Sequence, residues 1–366
     1  MEKFIHSNDL LAFCKKAKKI KKGTLPACGN VLFKDNTIQY TNLDMFLTKF
    51  IDLSFTDVLV EFAKLCKILE KITPQPIMLK VDGEGTLSLV TSSSKFNLPY
   101  LVNEGGNAFP VKPTGKITHA ATLGEKVGDV IKRAKEFTGN DELRPSMNFI
   151  QVLNKRVHAT NTHVLLFEEV DIEQTHECLI HKDAFNIIDC NDAIGGVDVS
   201  FIDNEDGEFL DSSFMITSGD YELMYRTQGK FPNVNVVIPR LDANFASEVI
   251  IGRKELVRLL NEASICASEA SKQVVIKFDG NNKLELSSQD IDFGTSYNSQ
   301  TIVEVVDGGY VPNSGVPVTQ AFKIDFLLTA LAHDKDESSV SLMLNRDPLR
   351  CAVIDNKILL MPMRIN

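Results

Sequence analysis

Asp292-Phe293-Gly294 has the composition of the kinase magnesium-binding tripeptide, and His158 with His163 offers two imidazoles five residues apart. Neither completes a site. A kinase also needs a Gly-rich phosphate loop upstream and a His-Arg-Asp catalytic loop, and this chain has neither. A helical metal pair needs its histidines four apart in a His-Glu-x-x-His frame, which the spacing here breaks. There is no Gly-x-Ser-x-Gly elbow for a nucleophile. The seven cysteines (14, 28, 66, 178, 190, 266, 351) are odd in number, scattered, and never form a Cys-x-x-Cys pair. That disfavours a disulfide framework and a structural zinc site and fits a reducing cytoplasm. The expectation is a protein without chemistry of its own, needing no metal and no cofactor.

Lysine is the residue type with a pattern. Lys15, Lys18, Lys19 and Lys22 recur at i, i+3, i+4 and i+7, and Lys64, Lys67 and Lys71 repeat this more weakly. Such spacing lines one face of a helix with ammonium groups. Residues 8–22 hold six lysines against one aspartate, which is repulsive spacing with almost no compensating acid. The whole chain has a net charge of −10, yet its six helical stretches together carry +7, leaving −17 elsewhere. Cations gathered on helices of an acidic protein mark a surface for a polyanion, the rest discouraging non-specific adhesion. Lysines without stacking aromatics contact phosphates and read no sequence.

The elements that carry these groups are written three times. Leu10, Phe13, Cys14 and Ala17 form an apolar helical stripe opposite the first lysines, and Val127, Val130, Ile131 and Ala134 repeat its spacing, as do Leu256, Leu259, Leu260 and Ala263. The spacing predicts helices starting near residues 8, 122 and 252, the first reaching Lys22. Each precedes β-rich runs, 29–53, 147–172 and 274–306, then a second helical stretch, 58–72, 182–190 and 320–335, then more strands. Repeats about 115 to 130 residues apart are one domain length each. Gly-, Asn- and Pro-rich stretches at 103–113 and 230–244 separate them. The expected domains are 1–112, 113–240 and 241–366, in an α+β fold of helices on one side of mostly antiparallel strands.

With 366 residues, 43% hydrophobic and 24% charged, the chain is long enough for several cores and too apolar for disorder. The first ten residues hold no apolar run of signal-peptide length, and no stretch approaches the roughly 20 apolar residues of a membrane span. A soluble cytoplasmic protein is expected.

Thr24-Leu25-Pro26, Leu43-Asp44-Met45, Asn161-Thr162-His163 after Ala159-Thr160, Gly229-Lys230-Phe231-Pro232 and the ending Met361-Pro362-Met363-Arg364-Ile365, set in a triple repeat, resemble the bacterial DNA polymerase III β subunit family of sliding clamps. The resemblance covers the whole chain. It implies a DNA clamp fold closed into a ring as a head-to-tail homodimer around duplex DNA, helices inside. Such a ring tethers the replicative polymerase as a processivity factor.

The resemblance also implies a pocket between the second and third domains for short peptides of polymerases and the clamp loader. Its residues here are Met147, Thr160, Thr162, His163, Leu165, Pro232, Val237, Leu359, Met361, Pro362, Met363 and Arg364. Where the family reads Gly-His-Arg this chain reads Thr162-His163-Val164, and the family's Ser-rich strand is Asp347-Pro348-Leu349-Arg350, so one cation is lost and one gained. These departures admit a second reading, a clamp-like scaffold for repair proteins or a mobile-element variant competing with a host clamp. The ring seam is expected to join Phe96 and Leu98 to Ile265 and Cys266 of another copy, with Lys95 paired to Asp290 or Asp292. Besides the lysines above, Lys132, Arg133, Lys182, Arg253 and Arg258 are expected to face DNA.

Overall fold

The structure is a computed structural model that describes residues 2–52, 57–82, 84–105, 108–112, 115–140, 143–172, 177–188, 197–204, 211–239, 245–306, 311 and 314–365. One order of elements occurs three times: strand, helix, three strands, strand, helix, three strands. In the first repeat these are β1 (Glu2–His6), α1 (Ser7–Ala17), β2 (Asn30–Lys34), β3 (Thr37–Thr41), β4 (Met45–Phe50), β5 (Val58–Glu61), α2 (Phe62–Leu69), β6 (Pro76–Val81), β7 (Thr86–Val90) and β8 (Lys95–Val102). The second holds β9 (Gly115–Leu123), α3 (Glu125–Ala134), β10 (Phe149–Leu153), β11 (Arg156–Thr160), β12 (Val164–Glu169), β13 (Cys178–His181), α4 (Ala184–Ile187), β14 (Val197–Asn204), β15 (Asp211–Ser218) and β16 (Tyr221–Gln228). The third holds β17 (Phe245–Gly252), α5 (Arg253–Cys266), β18 (Gln273–Phe278), β19 (Lys283–Asp290), β20 (Thr295–Ile302), a two-residue β21 (Glu304–Val305), β22 (Val318–Lys323), α6 (Ile324–His333), β23 (Ser339–Asn345), β24 (Ala352–Ile354) and β25 (Ile358–Leu360).

The helical stripes read from the sequence are the faces that pack. All twelve residues of the three stripes are buried, from Phe13, Ala17, Ala134, Leu256, Leu260 and Ala263 at 0% exposure to Val130 at 8%. The helices are shorter than expected at one end. The first stops at Ala17 rather than Lys22, because beyond it lysines crowd at Lys18, Lys19, Lys21 and Lys22 and the chain must turn at Gly23. A Cβ at Gly23 would stand 2.8 Å from that of Cys28 and 3.0 Å from the Asn42 Cα, so only glycine passes there. The second stretches begin as strands. Val58–Glu61 and Val318–Lys323 are β5 and β22, and each runs straight into its helix. Of the third such stretch, 182–190, the helix is Ala184–Ile187, and 189–190 lie outside the described residues.

The chain forms two compact units, 1–132 with 174–230 and 133–173 with 231–366. In the first, twelve strands run in the order β1-β6-β7-β8-β5-β2-β3-β4-β16-β15-β14-β9. In the second, β10-β11-β12-β25-β24-β23-β17-β21 form one sheet and β20-β19-β18-β22 another. Every pairing described is antiparallel, and repeats meet through the third strand of a meander. β4 of the first repeat pairs with β16 of the second, Met45 facing Tyr225, and β12 of the second pairs with β25 of the third, Val164 facing Leu360. No described helix is long and apolar enough to cross a membrane.

His158, on β11, is 3% exposed, and its Nδ1 lies 3.0 Å from the Gln151 Oε1. Burial, with Arg156 nearby, pulls its pKa down to about 4. The unfolded chain therefore binds a proton at this residue between pH 6.5 and pH 4 that the folded chain refuses, so stability rises with pH across that window. Urea unfolding should show a loss of about 3 kcal/mol on acidification from pH 7 to pH 4 from this residue, and His158→Gln should flatten that part of the profile. An unchanged slope in the variant would remove His158 as its source.

Candidate functional site

The cations of α1 divide by what meets them. Lys15 and Lys22 are exposed, whereas Lys18, just past the helix, forms an ion pair with Glu70 at the end of α2. Hydrogen bonding to the Glu70 carboxylate raises the Lys18 pKa and lowers that of Glu70. The acid missing from the local sequence is thus supplied across the helix pair. Lys19 donates to the Asn186 carbonyl and Lys16 to that of Ile187 at 3.3 Å, so two ammonium groups meet the last carbonyls of α4. Lys16 also lies 4.9 Å from the centre of the Tyr221 ring. Lys67 on α2 and Lys71 just past it are exposed, and Lys64 pairs with Glu61 at 3.0 Å. On and next to α3, Lys132 is half-buried and 4.0 Å from Asp129, while Arg133 is exposed; Lys182 is half-buried before α4.

Arg253 departs from the expectation. It is 3% exposed, its guanidinium donating to the carbonyls of Glu337, Leu331 and Ser339 and forming a 2.7 Å ion pair with Asp355. This fork holds the start of α5 to the end of α6 and the β24–β25 turn with four of its five N–H donors, and a side chain so buried does not present the fifth to a phosphate. A cation at the first position of a helix reads as exposed only while its tertiary partners are unknown. Arg258 is exposed but held by Glu255 at 2.7 Å and by Glu262 on the same helix.

The turn 161–163, between β11 and β12, is a polar knot. Thr160 Oγ1 accepts the Thr162 N–H at 3.1 Å, and Asn161 Oδ1 accepts those of His163 and Val164 at 3.0 and 2.9 Å. Together these hold Thr162 at φ +76°, a left-handed conformation that its Cβ disfavours. The C-terminal segment lies against this turn: the Met361 N–H donates to the His163 carbonyl at 2.9 Å, and Leu359 faces Leu165 in the β12–β25 pair. The segment then crosses to β22, the Met363 N–H bonding the Ala321 carbonyl at 2.7 Å, and Gln273 Nε2 holds the Arg364 carbonyl at 2.7 Å. Thr160, Thr162, His163, Leu165, Leu359 and the 361–364 segment are therefore one constellation.

Met361 is 42% exposed, Arg364 is exposed, and Pro362 and Met363 are half-buried, while Leu359 and Leu165 lie at 3% beneath them. Met147 is half-buried in the short turn before β10, Pro232 is half-buried beside the buried Phe231, and Val237 is 53% exposed. These three belong to other segments of the same compact unit.

Two residues that sequence reasoning missed complete the place. The exposed His163 ring stacks on Phe326 of α6, with centroids 5.4 Å apart and planes 16° from parallel, and the Lys323 ammonium lies 5.2 Å from the centre of the Phe326 ring. The arrangement offers an exposed thioether, a fixed aromatic pair and two cations, Lys323 and Arg364, which suits an extended peptide with apolar side chains. No spacing rule links a helix of the third repeat to a turn of the second. The only signal was Phe326, an apolar residue of α6 that lies off its buried face of Ile324, Leu327 and Leu331.

At the expected seam, Phe96 is half-buried and Lys95 exposed on β8, Ile265 is 80% exposed at the end of α5, and Cys266 is half-buried. Two residues depart from the expectation. Leu98 is 3% exposed and already packs within its own chain, as plain strand alternation requires. Asp290 is 8% exposed, and its carboxylate accepts the N–H groups of Asp292 and Phe293 at 3.0 and 3.2 Å, so Asp292 is the acid left exposed to an outside lysine.

Glu168, His333 and Asp334 gather where a cation could sit, and one is there. His333 Nε2 is 2.7 Å from Glu168, and the Lys357 ammonium is 2.7 Å from Asp334 and 3.8 Å from Glu168. An ammonium that neutralises both carboxylates makes this an ionic joint between β12 and α6.

No protein-family model matches the chain. Its sequence is similar to a protein named beta sliding clamp from Staphylococcus aureus, with 24% identity over 283 residues, 75% of this chain and 70% of the relative. Its fold is similar to the DNA polymerase III subunit beta of Pseudomonas aeruginosa, with a TM-score of 0.81 at 19% identity and full coverage of both chains. A sliding clamp of Bartonella birtlesii, solved with griselimycin bound, gives a TM-score of 0.80 at 19% identity, again with full coverage. The resemblance drawn from the sequence thus holds in fold along the whole chain and in sequence over three quarters of it.

Arg253→Met should lower stability by about 3 kcal/mol in urea unfolding, because it leaves the Asp355 carboxylate largely buried without its cation. A change below about 0.5 kcal/mol, the range of ordinary surface substitutions, would return Arg253 to the surface.

Proposed function

We propose, from the fold this chain shares with bacterial sliding clamps, that it is a sliding clamp: a ring that encloses duplex DNA and tethers a polymerase to it without catalysing any reaction. Its three repeats, 1–112, 113–240 and 241–366, are the clamp domains, and two copies close the ring head to tail. The observation that carries this reading is the rule by which repeats join. The third strand of one repeat's meander pairs with the last strand of the next, β4 with β16 and β12 with β25. Applied once more, the rule asks the outer edge of β20 to meet the last strand of a following repeat. Among the described residues β20 pairs only with β19, while β8, the last strand of the first repeat, is paired over Lys95–Pro99 only on its β7 side. A second copy supplies each edge with the other, and a head-to-tail contact that closes makes a ring.

Exposed lysines on its helices, such as Lys15 and Lys67, and just past them, such as Lys22 and Lys71, would meet the phosphates without reading bases. The turn 161–163, with the 361–364 segment, Phe326 and Lys323, would take the peptides of polymerase and clamp loader. Val164, where the family has a cation, is 2% exposed and continues the apolar core under the turn, so anionic peptide groups would be met instead by Lys323 and Arg364.

The test is retention on closed circular against linear DNA after loading by a clamp loader, with mass in solution measured alongside. A dimer kept on circles and lost from linear ends is expected; a monomer, or equal loss from both DNAs after confirmed loading, overturns the ring. Lys15→Glu with Lys22→Glu should shorten retention and flatten its dependence on salt, and unchanged retention would take these lysines off the DNA path. Removal of residues 361–366 should abolish capture of polymerase peptides and leave the dimer's mass unchanged. Peptide capture by the truncated chain would place the pocket elsewhere.

A further inference from the structure

The two joints inside the chain close with the same hydrogen bond. Where β16 meets β4, the Arg226 N–H donates to the Asp44 carbonyl at 3.1 Å; where β25 meets β12, the Met361 N–H donates to the His163 carbonyl at 2.9 Å. In each case the donor stands just after the residue that faces the first residue of the neighbouring strand, Tyr225 opposite Met45 and Leu360 opposite Val164. The acceptors are equivalent too. Thr41 and Thr160 open their turns by accepting the N–H two residues on, at 2.9 and 3.1 Å, and Asp44 and His163 follow each threonine by three.

The last strand of the third repeat then returns to its own repeat. Met363 bridges Ala321 on β22, three residues before α6 begins. In the first repeat Leu101 faces Leu59 on β5, three residues before α2 begins. Leu101 therefore holds the place of Met363, and Pro99 that of Met361 and Arg226. Strand geometry agrees. The Tyr100 N–H bonds the Gly85 carbonyl at 2.9 Å on the β7 side, and N–H groups alternate along a strand, so those of residues 95, 97 and 99 belong to the open side. Proline has no N–H to offer there. On the other half of the seam the register is the same, Asp290 facing Thr295 as Thr41 faces Phe46 and Thr160 faces Leu165, so Phe293 takes the place of Asp44 and His163, although this turn has its left-handed residue at Gly294 (φ +65°) and not two residues after Asp290.

We propose that Pro99 leaves the contact between two copies of this chain one backbone hydrogen bond short of the joints within each copy, so that the ring parts at the seam between copies. This rests on the head-to-tail ring proposed above. Lys95 and Asn97 supply the donors that remain along the open edge, and the Phe293 carbonyl of the other copy is left to water. A proline at that point also blocks extension of the pairing toward β5, which fixes where one copy's strand ends on the other.

Pro99→Ala and Pro99→Val each restore the N–H, and the full-length chain is measured by subunit exchange between labelled dimers and by amide hydrogen exchange. Exchange between subunits is expected to slow about fivefold for each seam that must open, the worth of one net hydrogen bond. The new amide at residue 99 is expected to be protected in the dimer and not in the diluted monomer. In the unsubstituted chain the amides of Lys95 and Asn97 should gain protection on dimerisation, a reading that needs no variant to fold. Dimers whose subunit exchange is unchanged and whose residue-99 amide exchanges as fast as in the monomer overturn the role of Pro99 and leave the ring standing. A chain that stays monomeric at every concentration overturns the ring, and this inference with it.

Discussion

A β-strand at the edge of a sheet holds out a row of donors and acceptors that must find partners. In this chain the third strand of the first and of the second meander is such an edge, and the following repeat covers it. The β4–β16 pair runs from Met45 opposite Tyr225 to Lys49 opposite Tyr221, and the β12–β25 pair from Val164 opposite Leu360 to Leu166 opposite Ile358. Because these ladders cross from repeat to repeat, the compact units do not coincide with the repeats; the second repeat contributes β14–β16 to one and β10–β12 to the other. Three copies of one unit joined by a directional rule always leave one edge at each end. Adding another chain is one way to cover those edges, and this is the topological ground of the ring proposed above.

The same backbone device serves different chemistry at each joint. Leu43 at φ +85° and Thr162 at +76° occupy equivalent turns, each held by a threonine hydroxyl and an asparagine carboxamide. A left-handed non-glycine residue costs roughly 1–2 kcal/mol, and side-chain bonds of about 1 kcal/mol each offset it. What the turns present differs. At the first joint the crossing bond links Asp44 and Arg226, both exposed and charged; at the second it links His163 and Met361, with Phe326 stacked on the imidazole. The second joint offers an apolar peptide thioether and aromatic surface and the first a pair of hydrated charges, so one frame used twice suits a peptide at the second joint better than at the first.

What could be read from the sequence was whatever repeats locally. The stripe residues Leu10, Phe13, Cys14 and Ala17 and their two counterparts are buried because a helix of period 3.6 has only one way to hide them. Val58-Leu59-Val60 misled, since a short run of apolar residues fits a buried strand as well as a helical turn; its neighbours in β2 and β8 decided the matter. Lys18 and Arg253 misled for a related reason. Their partners Glu70 and Asp355 stand 52 and 102 residues away, and no local pattern carries a charge pair across such distances. Phe326 was invisible as a site residue because its role depends on His163, in another repeat.

Those distant pairs bear on how firmly the ring would hold DNA. Lys18 is held by Glu70, Lys64 by Glu61 and Arg258 by two glutamates, and Arg253 is buried, so the cations left in the open are fewer than the count on the helices suggests. Each phosphate contact adds affinity and a steeper dependence on salt, and a protein that neutralised many phosphates at once would stay where it landed. A chain of net charge −10 with a few exposed lysines on and beside its helices would bind the backbone weakly and interchangeably. Enclosure then supplies the persistence that contact energy does not. In the proposed ring, lasting attachment would rest on closure at the seams and not on the grip on DNA, and a weak grip would let the ring slide.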